Sequence, residues 1–81
     1  MIVFRILIKT DDLAVGPRTY RVRYFEQATE RGAVRYAAEI QLAPGDRIIL
    51  DGDSLANLEA RTARLVPATV YSRSLARVTA A

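Results

Sequence analysis

The chain has 81 residues, a formal net charge of +3, 51% hydrophobic and 26% charged residues. This is typical of one small soluble domain, too short to bury more than a modest core. The sequence has no histidine and no cysteine, which excludes Ser-His and Cys-His nucleophile pairs, disulfides and thiolate metal sites. We expect a single domain over residues 1–78 and a loosely ordered tail over residues 79–81.

The first segment, residues 2–9, alternates like a strand but has apolar residues on both faces. This pattern is typical of a central strand that is covered on both sides. The segment lacks the basic start and the small-residue cleavage site of a signal peptide, and no apolar run could span a bilayer. We therefore expect a cytoplasmic protein with no membrane partner. Thr10–Pro17 opens with two aspartates and closes with Gly-Pro, which predicts a loop.

The next segment, Arg18–Leu42, predicts one long β-hairpin with an apolar and a mainly polar, arginine-bearing face. Glu30-Arg31-Gly32 fits a three-residue hairpin loop if Thr29 lies opposite Ala33. That register forms favourable cross-strand pairs, and a slip by one residue would place the tyrosines of the first strand opposite polar residues. The expected pairs are Val22–Ile40, Tyr24–Ala38, Arg23–Glu39, Gln27–Arg35 and Arg21–Gln41.

The remainder of the chain predicts a turn at residues 43–46, a short strand at residues 47–51 and a helix that Asp53 or Ser54 caps. Leu55, Leu58, Thr62 and Leu65 have helical spacing, and Pro67 predicts that the helix ends by about Val66. Residues 69–73 fit either a strand or a continued helical stripe. Their β-branched and aromatic residues favour a last strand.

The predicted element order is β-β-β-β-α-β, a small α+β domain. We expect a curved antiparallel sheet, or a partly closed barrel, with the helix over one face or one open end. Its core should combine the apolar residues of the first strand, the hairpin, the fourth strand and the helix. The expected core residues are Ile2, Phe4, Ile6, Ile8, Tyr20, Val22, Tyr24, Val34, Tyr36, Ile40, Ile48, Leu50, Leu55, Leu58 and Leu65.

The sequence favours a protein that is not an enzyme and holds no cofactor or metal. Lys9 is the only lysine and has no identifiable partner in the sequence, and no cleft with two catalytic carboxylates is indicated. The acidic residues around the fourth strand, Asp46, Asp51 and Asp53, lack the remaining ligands of a calcium loop. A strand-to-helix turn with a capping side chain explains the last of them more simply.

The polar face of the hairpin is the candidate binding face, carried by Arg21, Arg23, Phe25 and Arg35. Arginines beside an aromatic ring on a sheet are typical of surfaces that bind single-stranded nucleic acid. The same face fits a protein partner or a second copy of the chain. We expect a non-catalytic domain that acts by protein–protein interaction or self-association. Nucleic-acid binding by the arginine face is the alternative, and a small enzyme or ligand-binding domain comes third.

Overall fold

The computed structural model describes residues 2–80, with side chains over residues 4–76. A single antiparallel sheet has the strand order β1-β2-β3-β4, and one helix follows it in the chain. The predicted α+β class and the curved antiparallel sheet are therefore confirmed. The sheet is open, with β1 and β4 at its edges, and no barrel closes. The elements are β1 Ile2–Val15, β2 Arg18–Thr29, β3 Val34–Ala43, β4 Asp46–Gly52 and α1 Leu55–Ala80.

The hairpin between β2 and β3 has the predicted register. Thr29 donates its N–H to the carbonyl of Ala33 at 3.0 Å, and Gly32 adopts a left-handed φ of 80° in the loop. Paired residues include Val22–Ile40, Tyr24–Ala38, Arg23–Glu39 and Gln27–Arg35, while Arg21 and Gln41 lie one residue beyond the paired segment.

The loop predicted at Thr10–Pro17 is wrong, because β1 continues to Val15. The chain reverses in two residues: Gly16 has a φ of 61°, as the first position of a type II′ hairpin turn requires, and Pro17 follows it. The acidic pair does not interrupt the strand. Asp11 forms an ion pair with Lys9 and Asp12 forms one with Arg21, so both carboxylates have cationic neighbours on the sheet.

The prediction that the first strand is central is also wrong, because β1 is an edge strand. It pairs with β2 along its length, with one irregularity between Ile2 and Phe4 and a second between Leu7 and Lys9 that leaves Ile8 as an extra residue. Three of its residues that were expected in the core are exposed instead: Phe4, Ile6 and Ile8 are 38%, 49% and 39% exposed. The side chain of Ile2, also expected in the core, lies outside the described residues. Apolar residues on both faces of a strand thus reflect here an uncovered edge.

The last predicted strand does not form, and α1 runs through Pro67 to Ala80. Val66 is fully buried, Val70 packs against the core, and Arg73 donates two hydrogen bonds to Asp46 at 2.8 and 3.0 Å. The contacts of Val70 and Arg73, both beyond the proline, favour a continued helix and offset the donor lost at Pro67. Of the expected tail, residue 81 lies outside the described residues.

The sequence predicted either Asp53 or Ser54 as the N-cap of the helix, and the hydrogen bonds identify which of them it is. Ser54 Oγ accepts a hydrogen bond from the Asn57 N–H at 3.2 Å, and the Ser54 carbonyl accepts from Leu58 at 3.0 Å. Ser54 is therefore the N-cap. Asp53 instead forms an ion pair with Arg35 on β3.

The core lies between α1 and the face of the sheet that carries the tyrosines of β2. Ile40 on the sheet and Leu58 on the helix are both fully buried in one apolar cluster. Thr62 satisfies its hydroxyl by donating to the Leu58 carbonyl at 2.8 Å. Val34, expected in the core, is 49% exposed near the hairpin loop. The apolar cluster is Tyr20, Val22, Tyr24, Ala38, Ile40, Leu58 and Val66, with Leu13, Val15, Tyr36, Leu42, Ile48, Leu50, Leu55 and Val70 packed against it.

Candidate functional site

The sheet face opposite α1 carries a cluster of three arginines around one carboxylate, which we call the Glu39 cluster. Arg5 comes from β1, Arg23 from β2 and Arg47 from β4, and Glu39 lies on β3 between them. Their guanidinium nitrogens lie 3.0, 2.6 and 3.4 Å from the Glu39 oxygens. Every strand of the sheet therefore contributes one side chain to this cluster.

The carboxylate of Glu39 is buried by its partners, with only 8% of the residue exposed. Burial disfavours its charge and is the largest single effect. Hydrogen bonds from Arg5 and Arg23 and the charges of Arg23 and Arg47 together outweigh burial, so the pKa of Glu39 lies below its usual value. The carboxylate is therefore ionised at neutral pH. Three guanidinium groups against one carboxylate leave an excess of two positive charges on this face.

The ring of Phe25 lies beneath the arginines of the Glu39 cluster. The Arg5 guanidinium is 3.8 Å from the ring centroid and that of Arg23 is 5.7 Å away. Cation–π contact of this kind stabilises both partners. Phe25 is half-buried, with the Arg5 and Arg23 guanidinium groups against its ring.

The four residues of the predicted binding face lie at three separate places on the sheet. Arg23 and Phe25 meet in the Glu39 cluster. Arg35 lies toward the hairpin end and pairs with Asp51 and Asp53. Arg21 lies toward the other end, 3.7 Å from an Asp12 oxygen, with both side chains mostly exposed.

Sequence reasoning missed two members of the Glu39 cluster, Arg5 and Arg47. The sequence predicted which face of its strand each arginine occupies. Their proximity to Glu39, however, depends on the order of the strands in the sheet. It also missed the partners of Lys9, which donates to Glu59 on α1 at 2.7 Å and lies 3.0 Å from Asp11. Those hydrogen bonds raise the pKa of Lys9. Lys9 is thereby held in its charged form.

A second feature is a set of exposed apolar side chains at the start of β1. Phe4, Ile6, Leu7 and Ile8 are between 38% and 50% exposed over five consecutive positions, and we call these four residues the β1 apolar patch. Val34 extends it, since Ala28 pairs with Phe4 on one side and Val34 on the other. Clustered exposed apolar residues mark interaction surfaces more often than isolated ones do.

A cleft of about 240 Å³ lies at the opposite end of the sheet, between α1 and the strand ends marked by Val15, Arg18, Leu42 and Asp46. Tyr20, Leu42 and Val70 form its apolar wall. Its polar groups include Arg73 and Asp46, which are already joined by two hydrogen bonds. Ligand sites usually exceed about 300 Å³ and keep polar groups free to fix a ligand, so this cleft is the weaker candidate.

Within the described residues, no three acidic side chains converge as metal ligands would. In the same part of the chain, no helix is long and apolar enough to cross a bilayer. The chain matches no family model, no curated protein and no solved structure. Its function must therefore be inferred from its own surfaces.

Proposed function

We propose that this protein is a small, non-catalytic, cytoplasmic domain that acts by protein–protein interaction or self-association. The observation that carries the proposal is the β1 apolar patch on an edge strand of an otherwise ordinary domain. Unpaired peptide groups and apolar side chains together form a surface that another strand can extend.

The charged groups support a binding role better than a catalytic one. A nucleophilic or basic lysine needs a lowered pKa, whereas ion pairs with Glu59 and Asp11 raise that of Lys9. A general acid needs a raised carboxyl pKa, whereas the arginines lower that of Glu39. Both groups are thus fixed in the charged form that stabilises the fold.

Photo-crosslinking in the cells that express the protein tests this proposal. A benzophenone amino acid replaces Leu7, which is 50% exposed in the patch, and in a control chain it replaces Tyr71, which is 66% exposed on α1. We expect discrete protein adducts from position 7 and not from position 71. The mass of each adduct shows whether the crosslinked partner is a second copy of the chain or a different protein. Equal adduct patterns at both positions would overturn the proposal.

Nucleic-acid binding is the second candidate, favoured by the two excess positive charges of the Glu39 cluster. Arginine suits bidentate phosphate contacts. The logarithm of the binding constant for nucleic acid falls linearly with the logarithm of the salt concentration. Titration of labelled single-stranded oligonucleotides at low salt checks it, with Arg47→Gln as the test and Arg64→Gln on α1 as the control. Arg47 keeps the longest contact to Glu39, at 3.4 Å, and so remains the most available for phosphate. Equal affinity of both variants would exclude this face.

A further inference from the structure

We infer that the first half of β1 pairs antiparallel with the same segment of a second copy of this chain, with the two-fold axis at Ile6. This inference rests on the proposed function and specifies both the partner and the register. The pairing would join two four-stranded sheets into one continuous sheet.

The direction of the β1 peptide groups follows from the hairpin. The Thr29 N–H points to β3. The N–H and C=O groups of successive residues in a strand point to opposite sides, so those of Ala28, and of every second residue before it, point to β1. Ala28 pairs with Phe4 and Glu26 pairs with Ile6. The backbone N–H and C=O groups of Phe4 and Ile6 therefore form hydrogen bonds with β2.

The intervening residues Arg5 and Leu7 direct their N–H and C=O groups away from β2. The described sheet ends at β1, so no strand lies on that side. These peptide groups form the row to which a further strand would bond.

Natural edge strands carry charges, prolines or bulges that block such pairing. The second half of β1 has these features: a bulge at Ile8, then Lys9, Asp11 and Asp12. The other edge, β4, carries three charged residues among seven. From Phe4 to Leu7, the segment between the two irregularities of β1, the only such feature is Arg5.

Arg5 does not block the edge, because its guanidinium is drawn across Phe25 to Glu39 on the open face. Its backbone stays free to pair while its charge is balanced elsewhere. The apolar side chains on either side of it are those that a partner strand would cover.

The register follows from the charge of Arg5 and from which apolar side chains the second copy would cover. An axis at Arg5 would place two arginines opposite each other, which is unfavourable. An axis at Ile6 places Ile6 opposite Ile6 of the second copy, Arg5 opposite Leu7, and Phe4 opposite Ile8. All four residues of the β1 apolar patch are then covered, and the bulge ends the paired segment.

Disulfide trapping tests the register directly, because the chain contains no cysteine. Ile6 would occupy a non-hydrogen-bonded pair, where Cα atoms lie about 4.5 Å apart, within the range that a disulfide spans. Ile6→Cys should give covalent dimers under mild oxidation. The double variant Phe4→Cys, Ile8→Cys should do so as well.

Two single variants serve as matched controls, Leu7→Cys at the neighbouring position and Ile49→Cys on the opposite edge strand. Both sites are as exposed as Ile6, at 50% and 56%. They should crosslink at least ten-fold more slowly than Ile6→Cys. Equal rates at all three positions would mean random collision and would overturn the register.

Sedimentation velocity then tests the association itself. Wild type and Ile49→Lys should sediment as dimers, and Ile6→Lys as a monomer with an unchanged circular dichroism spectrum. A dimeric Ile6→Lys would overturn the β1 edge as the interface. A monomeric wild type would overturn self-pairing, while adducts of another mass from position 7 would still support the proposed function.

Discussion

Arg5 and Glu39 are 34 positions apart in the sequence, yet the Arg5 Nη2 donates to Glu39 Oε2 at 3.0 Å across the whole width of β2. The guanidinium crosses the ring of Phe25 on its way, 3.8 Å from the centroid. One side chain thereby ties the edge strand to the third strand. The carboxylate at its end balances two further arginines.

The first prediction concerns that carboxylate. Glu39→Gln keeps the shape but removes the charge that three guanidinium groups share, so the variant should lose about 1–3 kcal/mol, the usual range for hydrogen bonds to charged groups. Urea denaturation at pH 7 measures the loss. Asp12→Asn is the control, because its pair with Arg21 is exposed and should contribute no more than about 1 kcal/mol. Equal losses would show that the Glu39 cluster adds no stability.

The second prediction is the pH dependence of the same pair of proteins. The folded-state pKa of Glu39 lies below its ordinary value of 4.5, so its contribution is fully present above that value. The contribution is lost as pH falls through the folded pKa. The stability difference between wild type and Glu39→Gln should therefore stay constant from pH 7 to 5 and shrink below pH 4.5. A difference that grows on acidification would contradict the assigned direction.

The hairpin was predictable because its pattern and its loop agree. Two-residue alternation and Gly32 each specify the same register, so Arg23–Glu39 could be paired from sequence alone. The two ends of the chain were not predictable in this way. At Pro67 the local preference opposed the helix, and contacts with distant residues such as Asp46 decided the outcome. For Ile6, the pattern cannot distinguish a covered strand from an exposed edge.

The candidate site was predictable only in part, for a similar reason. Cross-strand partners follow from one hairpin, but Arg5 and Arg47 reach Glu39 from strands whose places in the sheet depend on the whole topology. The contact between Phe25 and Arg5 was not predictable for the same reason. The side chain that covers its ring comes from β1, which was assigned to the centre of the sheet.

The third prediction separates the two residues at the start of α1. Ser54→Ala removes the oxygen that accepts from the Asn57 N–H and should cost about 0.5–2 kcal/mol. Asp53→Ala removes an exposed ion pair with Arg35 and should cost no more than about 1 kcal/mol. Thermal denaturation of both variants ranks them. A larger loss of stability from Asp53→Ala than from Ser54→Ala would indicate that Asp53 is the N-cap.

The fourth prediction uses the proline inside α1. Pro67 cannot donate to the carbonyl four residues earlier, so Pro67→Ala should stabilise the protein by about 1–3 kcal/mol. Pro44→Ala is the control with the opposite sign. Pro44 lies in the turn between β3 and β4, where a preset φ favours the fold, and its loss should cost about 0.4–1 kcal/mol. If Pro67→Ala destabilises the protein, the helix ends before this residue.

The last prediction compares two leucines on the same helix. Leu58 is fully buried against the sheet, whereas Leu75 is 48% exposed beyond it. Leu58→Ala removes the same atoms as Leu75→Ala but leaves a cavity among Ile40 and its neighbours, and it should cost about 2–5 kcal/mol. Leu75→Ala should change stability by less than about 0.5 kcal/mol, as at most surface positions. Urea midpoints of the two variants measure the contrast, and similar midpoints would place α1 on the sheet by a different face.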